Sequence, residues 1–383
     1  MNKVMRIGIE AQRIFRSNSY GMDIVAIELI KALQKIDRDN QYFIFCRPGS
    51  KSVQEVFPNL QPNFKIIEFS GGDYVFWEQF RLPKKVKQYE LDLLHCTANT
   101  APLKLSVPLY LILHDVIYLE SINLDKGTWY QRLGNLYRRW IVPRIVPKAA
   151  LIGTVSHYER NNIINELSVP DEKIKVFHNA VGKHFRQYSS DEKVNVDVNR
   201  KYHLPEEYFL FFYNTDPRKN FKNVIRAYID YRNNGGDKAL CILNANKRVV
   251  VSCLKSNGGK DYLKNVHCIG YVNNSELVAF YNAAKVFLFL STRESFGIPV
   301  LEAMACGTPV ICSNLSSIPE VAGEAALLVG PEAIKEISSS MELLMENQLL
   351  CAELSAKGLE RVHNFSWENT ARKWIDNYHA LKE

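Results

Sequence analysis

The chain has 383 residues, of which 46% are hydrophobic and 23% are charged. This composition is typical of a globular protein and excludes wholesale disorder, and the length favours two domains. Lys and Arg exceed Asp and Glu by 48 to 41, and the resulting charge of +7 suits an anionic ligand but is too small to indicate nucleic-acid binding. No apolar stretch approaches the ~18 residues of a membrane span. The N-terminal segment has no small-residue cleavage site, so we expect no signal peptide.

The eight cysteines show no metal-binding or disulfide pattern. None is spaced as C-x-x-C, and most lie in apolar runs such as 42–46 and 310–312. Buried free thiols in a reducing compartment fit this pattern better than a disulfide framework or a zinc site. We therefore expect a cytoplasmic protein.

Short apolar runs alternate with helix-length amphipathic segments along the whole chain. The runs predict strands at 5–10, 42–46, 64–69, 93–96, 109–113, 151–155, 174–177, 208–213, 239–243, 266–269, 286–290, 309–312 and 326–329. This alternation is typical of parallel sheets covered by helices on both faces. Thirteen strands exceed what one open twisted sheet usually carries. We therefore predict an α/β chain of two doubly wound domains.

A polar segment at 186–201 has no apolar periodicity and separates the two halves. We predict an N-terminal domain at 1–185, a linker at 186–201, a C-terminal domain at 202–365 and a last helix at 366–383. Ligands of doubly wound sheets bind beyond the carboxyl ends of the strands. The cleft between two such domains is therefore the expected site.

The segment that follows the predicted strand 286–290 is the most informative one. After a short loop, Pro299 suits the first position of a helix, and Gly307 suits the residue that ends it. The N–H groups at the start of this short helix, together with its dipole, form an anion site. They belong to Phe296, Gly297 and Ile298.

Two carboxylates flank this anion site. Glu294 lies in the loop, and we place Glu302 in the first turn of the helix. One interpretation is structural: a solvated loop acid and a first-turn acid that complements the helix dipole. The other is a ligand that carries both phosphate and hydroxyl groups, because ionised carboxylates accept strong hydrogen bonds from sugar hydroxyls.

The string ESFGIPVLEAMACGTPV at 294–310 resembles the E-x7-E signature of the retaining glycosyltransferases of family four, which have the GT-B fold. The resemblance continues to residue 329, and it covers the C-terminal half well and the N-terminal half in patches. It implies two Rossmann-like domains that face a cleft, with the last helix packing toward the first domain. It also implies that Glu302 holds the ribose hydroxyls of a sugar nucleotide, that Glu294 lies near the donor sugar, and that the amides of 296–298 hold the diphosphate.

The segment Asp216–Asn220 places two adjacent cations after a predicted strand. Arg218 and Lys219 can face a diphosphate there, or they can be a solvated pair at a helix start. The string resembles the second phosphate-binding element of the family, which implies that Lys219 neutralises the leaving diphosphate. The family often has Gly and Arg where 213–215 stands, so the second cation is left open between Arg218 and Arg293.

Three further residues follow from the resemblance. Val272 is in a loop similar to the base-binding loop of the family, with a plain strand-to-helix turn as the alternative. His114 follows the strand 109–113, where the family often has a His beside the donor sugar; a structural His is the alternative. Gly21 is the one match to the family's glycine-rich first loop, so its role is open and an unusual acceptor is allowed.

The string Trp77-Glu78-Gln79 is similar to a subset of the family with many mannosyl- or related transferases.

Two other patterns have structural alternatives. Asp37-Arg38-Asp39 has the D-x-D form of a metal motif, but it lies between a helix and a strand, where Asp forms turns. We interpret it as a turn and predict no metal site. The basic amphipathic segment 129–148 can lie on anionic lipid or can pack its apolar stripe on the sheet.

No G-x-G-x-x-G follows the first strand, which weighs against a nicotinamide or flavin enzyme.

We therefore expect a metal-independent hexosyltransferase without a cofactor. It moves a sugar from a nucleotide-diphosphate sugar, with retention, to a hydroxyl of a glycan or lipid-linked glycan in cell-surface polysaccharide or glycoconjugate synthesis. The expected catalytic residues are His114, Glu294 and Lys219. For the segment 129–148 we favour packing on the sheet, with weak association with the cytoplasmic face of an anionic membrane as the alternative. The alternatives are a sugar-nucleotide epimerase of the same architecture and a non-catalytic nucleotide-sugar-binding module.

Overall fold

A computed structural model of the chain describes residues 4–17, 21–120, 129–189 and 198–381. The chain forms two compact units, the first from Met1–Asn179 with Trp367–Glu383 and the second from Ala180–Ser366. Each unit contains one parallel sheet with helices. The prediction of two doubly wound α/β domains is confirmed, and each of the thirteen predicted strands forms.

The first unit contains seven parallel strands in the order β3-β2-β1-β4-β5-β6-β7. The strands are β1 (Arg6–Glu10), β2 (Gln41–Cys46), β3 (Phe64–Glu68), β4 (Leu93–Cys96), β5 (Leu109–Ile112), β6 (Leu151–Thr154) and β7 (Ile174–Val176). The helices are α1 (Gly21–Ile36), α2 (Val53–Val56), α3 (Tyr74–Phe76), α4 (Leu82–Gln88), α5 (Ile117–Glu120), α6 (Trp129–Ile145) and α7 (His157–Leu167), and a π-helical turn, Trp77–Arg81, joins α3 to α4. The strand order reverses between β1 and β4, and ligands of such sheets bind in the crevice at that reversal.

The second unit contains six parallel strands in the order β10-β9-β8-β11-β12-β13. The strands are β8 (Tyr208–Phe212), β9 (Ala239–Leu243), β10 (Val266–Cys268), β11 (Val286–Phe289), β12 (Val310–Ser313) and β13 (Leu327–Val329). The helices are α8 (Val198–Tyr202), α9 (Phe221–Asn233), α10 (Lys247–Ser256), α11 (Asn274–Ala283), α12 (Ile298–Ala305), α13 (Ile318–Ala322), α14 (Ile334–Glu346) and α15 (Gln348–Val362), and α16 (Trp367–Ala380) then returns to the first unit. Here the order reverses between β8 and β11.

The strands are apolar on both faces because helices cover both faces. Phe43 and Ile44 are successive residues of β2, so their side chains point to opposite faces of the sheet, and both are buried. In the second unit, the successive residues Leu210 and Phe211 of β8 likewise point to opposite faces of the sheet, and both are buried. Among the described residues, no helix combines the length and apolar character needed to cross a bilayer.

The first unit ends at Asn179, before the predicted bound at residue 185. The described start of the segment 186–201 is bonded to α11 of the second unit. The Tyr188 N–H donates to Asn282 Oδ1 (2.7 Å), and Asn282 Nδ2 donates to the carbonyl of Arg186 (3.0 Å). Residues 190–197 of the expected linker lie outside the described residues.

The last helix packs in the first unit, against α1. The Trp374 indole stacks on Phe177 with ring centroids 3.7 Å apart, and Gly153 of β6 leaves room for it. The Tyr378 hydroxyl is hydrogen-bonded to His95 Nδ1 (2.6 Å). Burial lowers the pKa of His95 to about 3, so this imidazole is neutral at physiological pH. The expected return of the last helix to the first domain is confirmed.

We predict that Gly153→Ala loosens this packing. A Cβ at position 153 would lie 2.5 Å from the Trp374 ring and 2.9 Å from Phe177, so the ring must move. Overpacking of this kind costs about 1–3 kcal/mol of unfolding free energy. Urea unfolding measures the loss.

Gly134→Ala is the matched control. Position 134 is in α6, and the nearest atom to an added Cβ is the tip of Arg138 at 3.9 Å. We expect the unfolding free energy to stay the same or to rise by about 0.5–1 kcal/mol, because Ala favours helix. Equal stabilities of Gly153→Ala and the wild type would contradict the prediction.

Candidate active site

Two predicted catalytic residues meet at the strand reversal of the second unit. Lys219 follows β8 and Glu294 follows β11, and Lys219 Nζ lies 2.5 Å from Glu294 Oε1. Their loops are joined by the Thr292 N–H, which donates to the Arg218 carbonyl (2.8 Å). Asn220, in the left-handed conformation, donates from Nδ2 to the Leu290 carbonyl (3.0 Å). The two loops are therefore fixed to each other, and they hold the ion pair at the carboxyl edge of the sheet.

The two candidates for a second cation make different local bonds. The Arg218 guanidinium binds the Asp216 carboxylate, with Nε 3.0 Å from Oδ2. Arg293 Nη1 donates to the carbonyl of Glu294 (3.2 Å). Arg293 is therefore bonded to the loop that carries Glu294, whereas Arg218 is bonded within its own turn. Which of these two arginines is the second cation for a diphosphate stays open, as in the sequence-based prediction.

The helix α12 begins beside this ion pair. Gly297 precedes it with φ of +106°, a conformation that glycine adopts without strain, and Pro299 follows in the first turn. The Phe296 side chain is buried against Phe365, so it cannot offer its ring to a ligand. Within the described residues, the backbone N–H groups of Gly297 and Ile298 donate to no protein acceptor. These N–H groups and the dipole of α12 are available to an anion.

Glu302 lies in the second turn of α12, because the helix begins at Ile298, so our placement of it in the first turn is corrected. The Tyr281 hydroxyl donates to Glu302 Oε2 (2.9 Å) and also reaches the Pro299 carbonyl (3.3 Å). Glu302 Oε1 has no hydrogen bond to another described residue, so it is available to a ligand. Burial raises the pKa of Glu302 to about 7, against the hydrogen bond from Tyr281, which lowers it.

The loop before α11 presents a different residue from the expected one. The Val272 side chain is buried, whereas the neighbouring Tyr271 is 80% exposed. Asn273 caps the helix by accepting from the Glu276 N–H (2.9 Å). A contact between Val272 and a nucleobase therefore stays a prediction, and its side chain offers little surface for one.

In the first unit, His114 follows β5 and is buried. Its backbone N–H donates to Asn99 Oδ1 (2.6 Å), and its Nε2 lies 2.9 Å from the carbonyl of Thr97. A carbonyl can only accept, so Nε2 carries the proton and Nδ1 is an acceptor. Burial lowers the pKa of His114, so the ring is neutral near pH 7.

The remaining predicted positions of the first unit are Gly21 and the Asp37–Asp39 string. Gly21 is the first residue of α1, and residues 18–20 before it lie outside the described residues, so its role stays a prediction. The Asp37 carboxylate accepts from the Asp39 N–H (2.9 Å) and from the Tyr42 hydroxyl (2.6 Å). Both of its oxygens are thus engaged in the turn before β2, as the turn interpretation requires.

Two family models match this chain. The model of Glycosyl transferases group 1 matches residues 197–361, and that of Glycosyltransferase Family 4 matches residues 20–183. The chain belongs to the family-four glycosyltransferases.

Relatives of this glycosyltransferase-family chain include mannosyltransferases. The O-antigen chain mannosyltransferase B of Escherichia coli is 32% identical over 237 residues, which cover 61% of each chain. The serotype-specific mannosyltransferase WbdA of Escherichia coli is 29% identical over 241 residues, which cover 61% of this chain and 29% of that protein. The chain therefore spans less than two thirds of the length of these curated relatives.

Solved structures confirm the GT-B fold. A glycosyltransferase from Rickettsia africae has a TM-score of 0.73 at 14% identity, with 100% of this chain and 99% of the other covered. HepE from Anabaena, in complex with UDP and glucose, has a TM-score of 0.71 at 15% identity, with 98% and 100% covered. WaaG, a glycosyltransferase involved in lipopolysaccharide biosynthesis, has a TM-score of 0.71 at 12% identity, with 97% and 98% covered. At these identities the likeness shows the fold alone.

The first unit of this family-four chain also contains a pair of buried carboxyl groups, to which the sequence alone assigns no role. Glu78 accepts hydrogen bonds from Tyr74 (2.9 Å), Gln79 (2.9 Å), Thr100 and Tyr137. Burial raises the pKa of Glu78, and these four hydrogen bonds lower it without reversing the shift. The resemblance at 77–79 singled out the string but gave Glu78 no role. The one available signal was an acid next to a Trp in that string.

Glu10 is the second member of this pair. It ends β1 with 1% exposure, and its Oε1 accepts the Gln12 N–H (3.0 Å). Its Oε2 has no partner among the described residues. Burial, and then the nearby charge of Glu78, raise the pKa of Glu10 to about 7. A Glu at the end of an apolar strand was visible in the sequence, but its proximity to Glu78 was not.

We predict that Glu10→Gln stabilises the first unit more at high pH than at low pH. The folded-state pKa of about 7 lies above the ordinary 4.5, so the native form resists ionisation of Glu10. The associated stability is fully present below pH 4.5 and is lost as the pH rises through 7. The difference in unfolding free energy between Glu10→Gln and wild type should therefore grow by about 3 kcal/mol across this range.

Urea unfolding between pH 4.5 and 8.5 measures this difference. Glu68→Gln is the matched control, because Glu68 ends β3 in the same sheet but is exposed. A Glu10→Gln difference that stays constant with pH would show that Glu10 ionises normally.

Proposed function

We propose that the chain transfers a hexosyl group from a nucleotide-diphosphate sugar to a hydroxyl of a glycan or lipid-linked glycan. The observation that carries this proposal is the Lys219–Glu294 ion pair beside the start of α12, at the strand reversal of the second sheet. A cation and unpaired N–H groups at one point suit a diphosphate. A carboxylate at the same point suits the hydroxyls of the attached sugar.

In the proposed reaction the bond between the sugar and the diphosphate breaks, and its electron pair leaves with the diphosphate. Lys219 and the N–H groups of Gly297 and Ile298 stabilise that developing charge, which is the largest catalytic contribution we expect. The acceptor hydroxyl oxygen bonds to the sugar carbon on the face from which the diphosphate departs, and its proton passes to an oxygen of the departing diphosphate. The configuration is therefore retained. Because Lys219 and α12 neutralise the diphosphate, the proposal includes activity without a metal ion or another cofactor.

The other residues bind and orient the donor. Glu302 Oε1 accepts from a ribose hydroxyl, and Tyr281 fixes the carboxylate by holding Oε2. His114, neutral and with Nδ1 as an acceptor, is proposed to receive a hydrogen bond from the transferred sugar. The names of the relatives favour mannose as the sugar and a cell-surface polysaccharide as the product.

We predict that Glu302→Gln lowers the affinity for nucleoside diphosphates. The amide cannot provide a charged acceptor for a ribose hydroxyl, and the loss of such a bond costs about 1.5–3 kcal/mol. Calorimetric titration with GDP-, UDP-, ADP- and dTDP-sugars first identifies the nucleotide, and the same titration then compares the variant with wild type. The released nucleoside diphosphate reports transfer, and an altered sugar nucleotide would report epimerisation.

His114→Ala is the matched comparison, because His114 is in the first unit and outside the nucleotide-binding residues proposed above. It should keep the diphosphate affinity and lose turnover, the behaviour of a residue that acts on the transferred sugar. Normal diphosphate affinity in Glu302→Gln would remove the ribose role. Failure of every sugar nucleotide to bind the wild type would refute the proposed function itself.

We also propose weak association of the first unit with an anionic membrane surface. Leu133, Leu136 and Trp140 of α6 are each about half exposed. The helix carries four arginines and no acid. Exposed apolar side chains among uncompensated cations suit anionic lipid headgroups. An enzyme that acts on a lipid-linked glycan would thereby stay near its acceptor, at the cytoplasmic face.

We predict that Leu136→Glu weakens binding to phosphatidylglycerol-containing vesicles. The substitution removes an apolar contact and adds a repelled charge, which together are worth about 1.4 kcal/mol or more, or about tenfold in affinity. Sedimentation with vesicles measures the binding, and added salt should weaken it. Leu349→Glu is the control, because Leu349 is 85% exposed but lies in the second unit. If the wild type bound neutral phosphatidylcholine vesicles as tightly as phosphatidylglycerol-containing ones, the proposed attraction between the arginines and anionic lipid would be contradicted.

A further inference from the structure

A polar cavity of about 160 Å³ lies at the carboxyl ends of β1 and β2. Its lining residues are Gln12, Phe15, Arg16, Arg47, Pro48 and Gly49. A cavity of about 150 Å³ is large enough to hold a benzene ring. This cavity therefore has room for one six-membered ring. Its lining residues all belong to the first unit, whereas Lys219 and Glu294 belong to the second.

The charged side chains that line this cavity are cationic. Gln12, Arg16 and Arg47 provide amide and guanidinium N–H groups, and no carboxylate is among the lining residues. Arg16 makes no ion pair with a described residue, and Arg47 donates from Nη2 to the Gly72 carbonyl (2.9 Å) alone. A wall with two guanidinium groups and no carboxylate is complementary to an acceptor-rich anion such as phosphate.

Gln12 gives an independent sign of a missing ligand. It is 5% exposed, and its Nε2 makes no hydrogen bond to any described residue. A buried amide nitrogen without a partner costs about 1–3 kcal/mol, which a ligand oxygen or a bound water would recover. Gln12 is also the residue that connects the cavity to the buried Glu10, because its backbone N–H donates to Glu10 Oε1 (3.0 Å).

The walls of the cavity are held in place before any ligand arrives. The Arg47 N–H donates to the Gln12 carbonyl (3.2 Å), and the Lys51 N–H donates to the Phe15 carbonyl (3.0 Å). The loops after β1 and β2 are therefore joined by backbone hydrogen bonds. At Gly49 an added Cβ would overlap the carbonyl of Phe15, so glycine is required for this close approach. Such a preformed cavity loses little free energy to ordering when a ligand binds.

We propose that this cavity binds a glycosyl phosphate of the acceptor, with the pyranose ring against Gln12 and the phosphate on Arg16 and Arg47. The assignment rests on the proposed function and adds to it the acceptor class, a sugar that carries phosphate. Arg16 is exposed and Arg47 is half-buried, so the phosphate lies toward the mouth and the ring toward the buried amide. A lipid-linked sugar and a free sugar phosphate share this chemistry.

The test is calorimetric binding of α-mannose 1-phosphate to the full chain and to three variants. Gln12→Ala and Arg47→Ala should each weaken binding about tenfold or more, since each removes at least one hydrogen bond to ligand oxygens. Arg38→Ala is the matched control, because Arg38 is an exposed arginine of the same unit outside the cavity. Melting temperatures close to wild type show that the variants are folded.

Three further probes decide the ligand class. Methyl α-mannoside should bind at least tenfold more weakly than α-mannose 1-phosphate, and inorganic phosphate should also bind more weakly, because each lacks half of the ligand. Equal binding of either probe, no binding of the sugar phosphate to wild type, or unchanged binding in Gln12→Ala would overturn the proposal. A dodecyl mannosyl phosphate that binds more tightly than the free sugar phosphate identifies the lipid-linked source, and the reverse identifies the free one.

The same calorimetry separates this proposal from the proposed function. Nucleotide-sugar binding should be unchanged in Gln12→Ala and Arg47→Ala, since neither residue is among those proposed to hold the nucleotide sugar. Binding of the sugar phosphate with no nucleotide-sugar binding would leave the cavity assignment standing and refute the transferase. Nucleotide-sugar binding with no sugar phosphate binding would refute the cavity assignment alone.

Discussion

The reversal of strand order in each sheet is the constraint on which the rest of the structure depends. Between β1 and β4, and again between β8 and β11, the connections lead to opposite faces, so the loops at the carboxyl edge diverge. Polar side chains can collect in the opened space without blocking the core. In the second unit these are Lys219 and Glu294. In the first unit, Glu10 and the loop from Thr97 to Thr100 occupy the corresponding place. One topological rule therefore positions two chemically different groups of residues.

Burial gives the acidic residues of the two units different roles. Burial raises the pKa of Glu302 to about 7, and its one hydrogen-bond donor is Tyr281; under the proposed function, a ligand hydroxyl that donates to its second oxygen would favour the ionised form. Glu78 has four donors from the protein and needs no ligand. Glu10 has one donor and lies near the charge of Glu78, which favours its protonated form. The number of donors and the nearest charge, more than the residue type, decide whether a buried glutamate binds ligand, supports structure or holds a proton.

Most of the fold could be predicted from local sequence patterns. The features that could not be predicted depend on contacts between residues far apart in the sequence. Buried strands such as β2 were recognisable because they are apolar on both faces. The string at 294–310 was recognisable because a strand end, Pro299 and Gly307 have fixed positions relative to one another. The turn of α12 that holds Glu302 was misplaced, because helix ends vary by a residue or more in sequence-based reasoning. The bonds of Tyr281 to Glu302, and the proximity of Glu10 to Glu78, depend on tertiary packing and have no local signal.

The Lys219–Glu294 pair also bears on how a donor would be held under the proposed function. A diphosphate carries more negative charge than a carboxylate, so it competes with Glu294 for the ammonium of Lys219. Once Lys219 turns to the phosphate, Glu294 is left half-buried beside a second anion, and like charges at short range are unfavourable. Hydroxyls of an attached sugar can donate to Glu294 and remove that cost, whereas a bare nucleoside diphosphate offers no such donors at this position. The ion pair therefore favours the intact sugar nucleotide over the diphosphate that remains after transfer, and the same contact that admits the donor assists the release of the product.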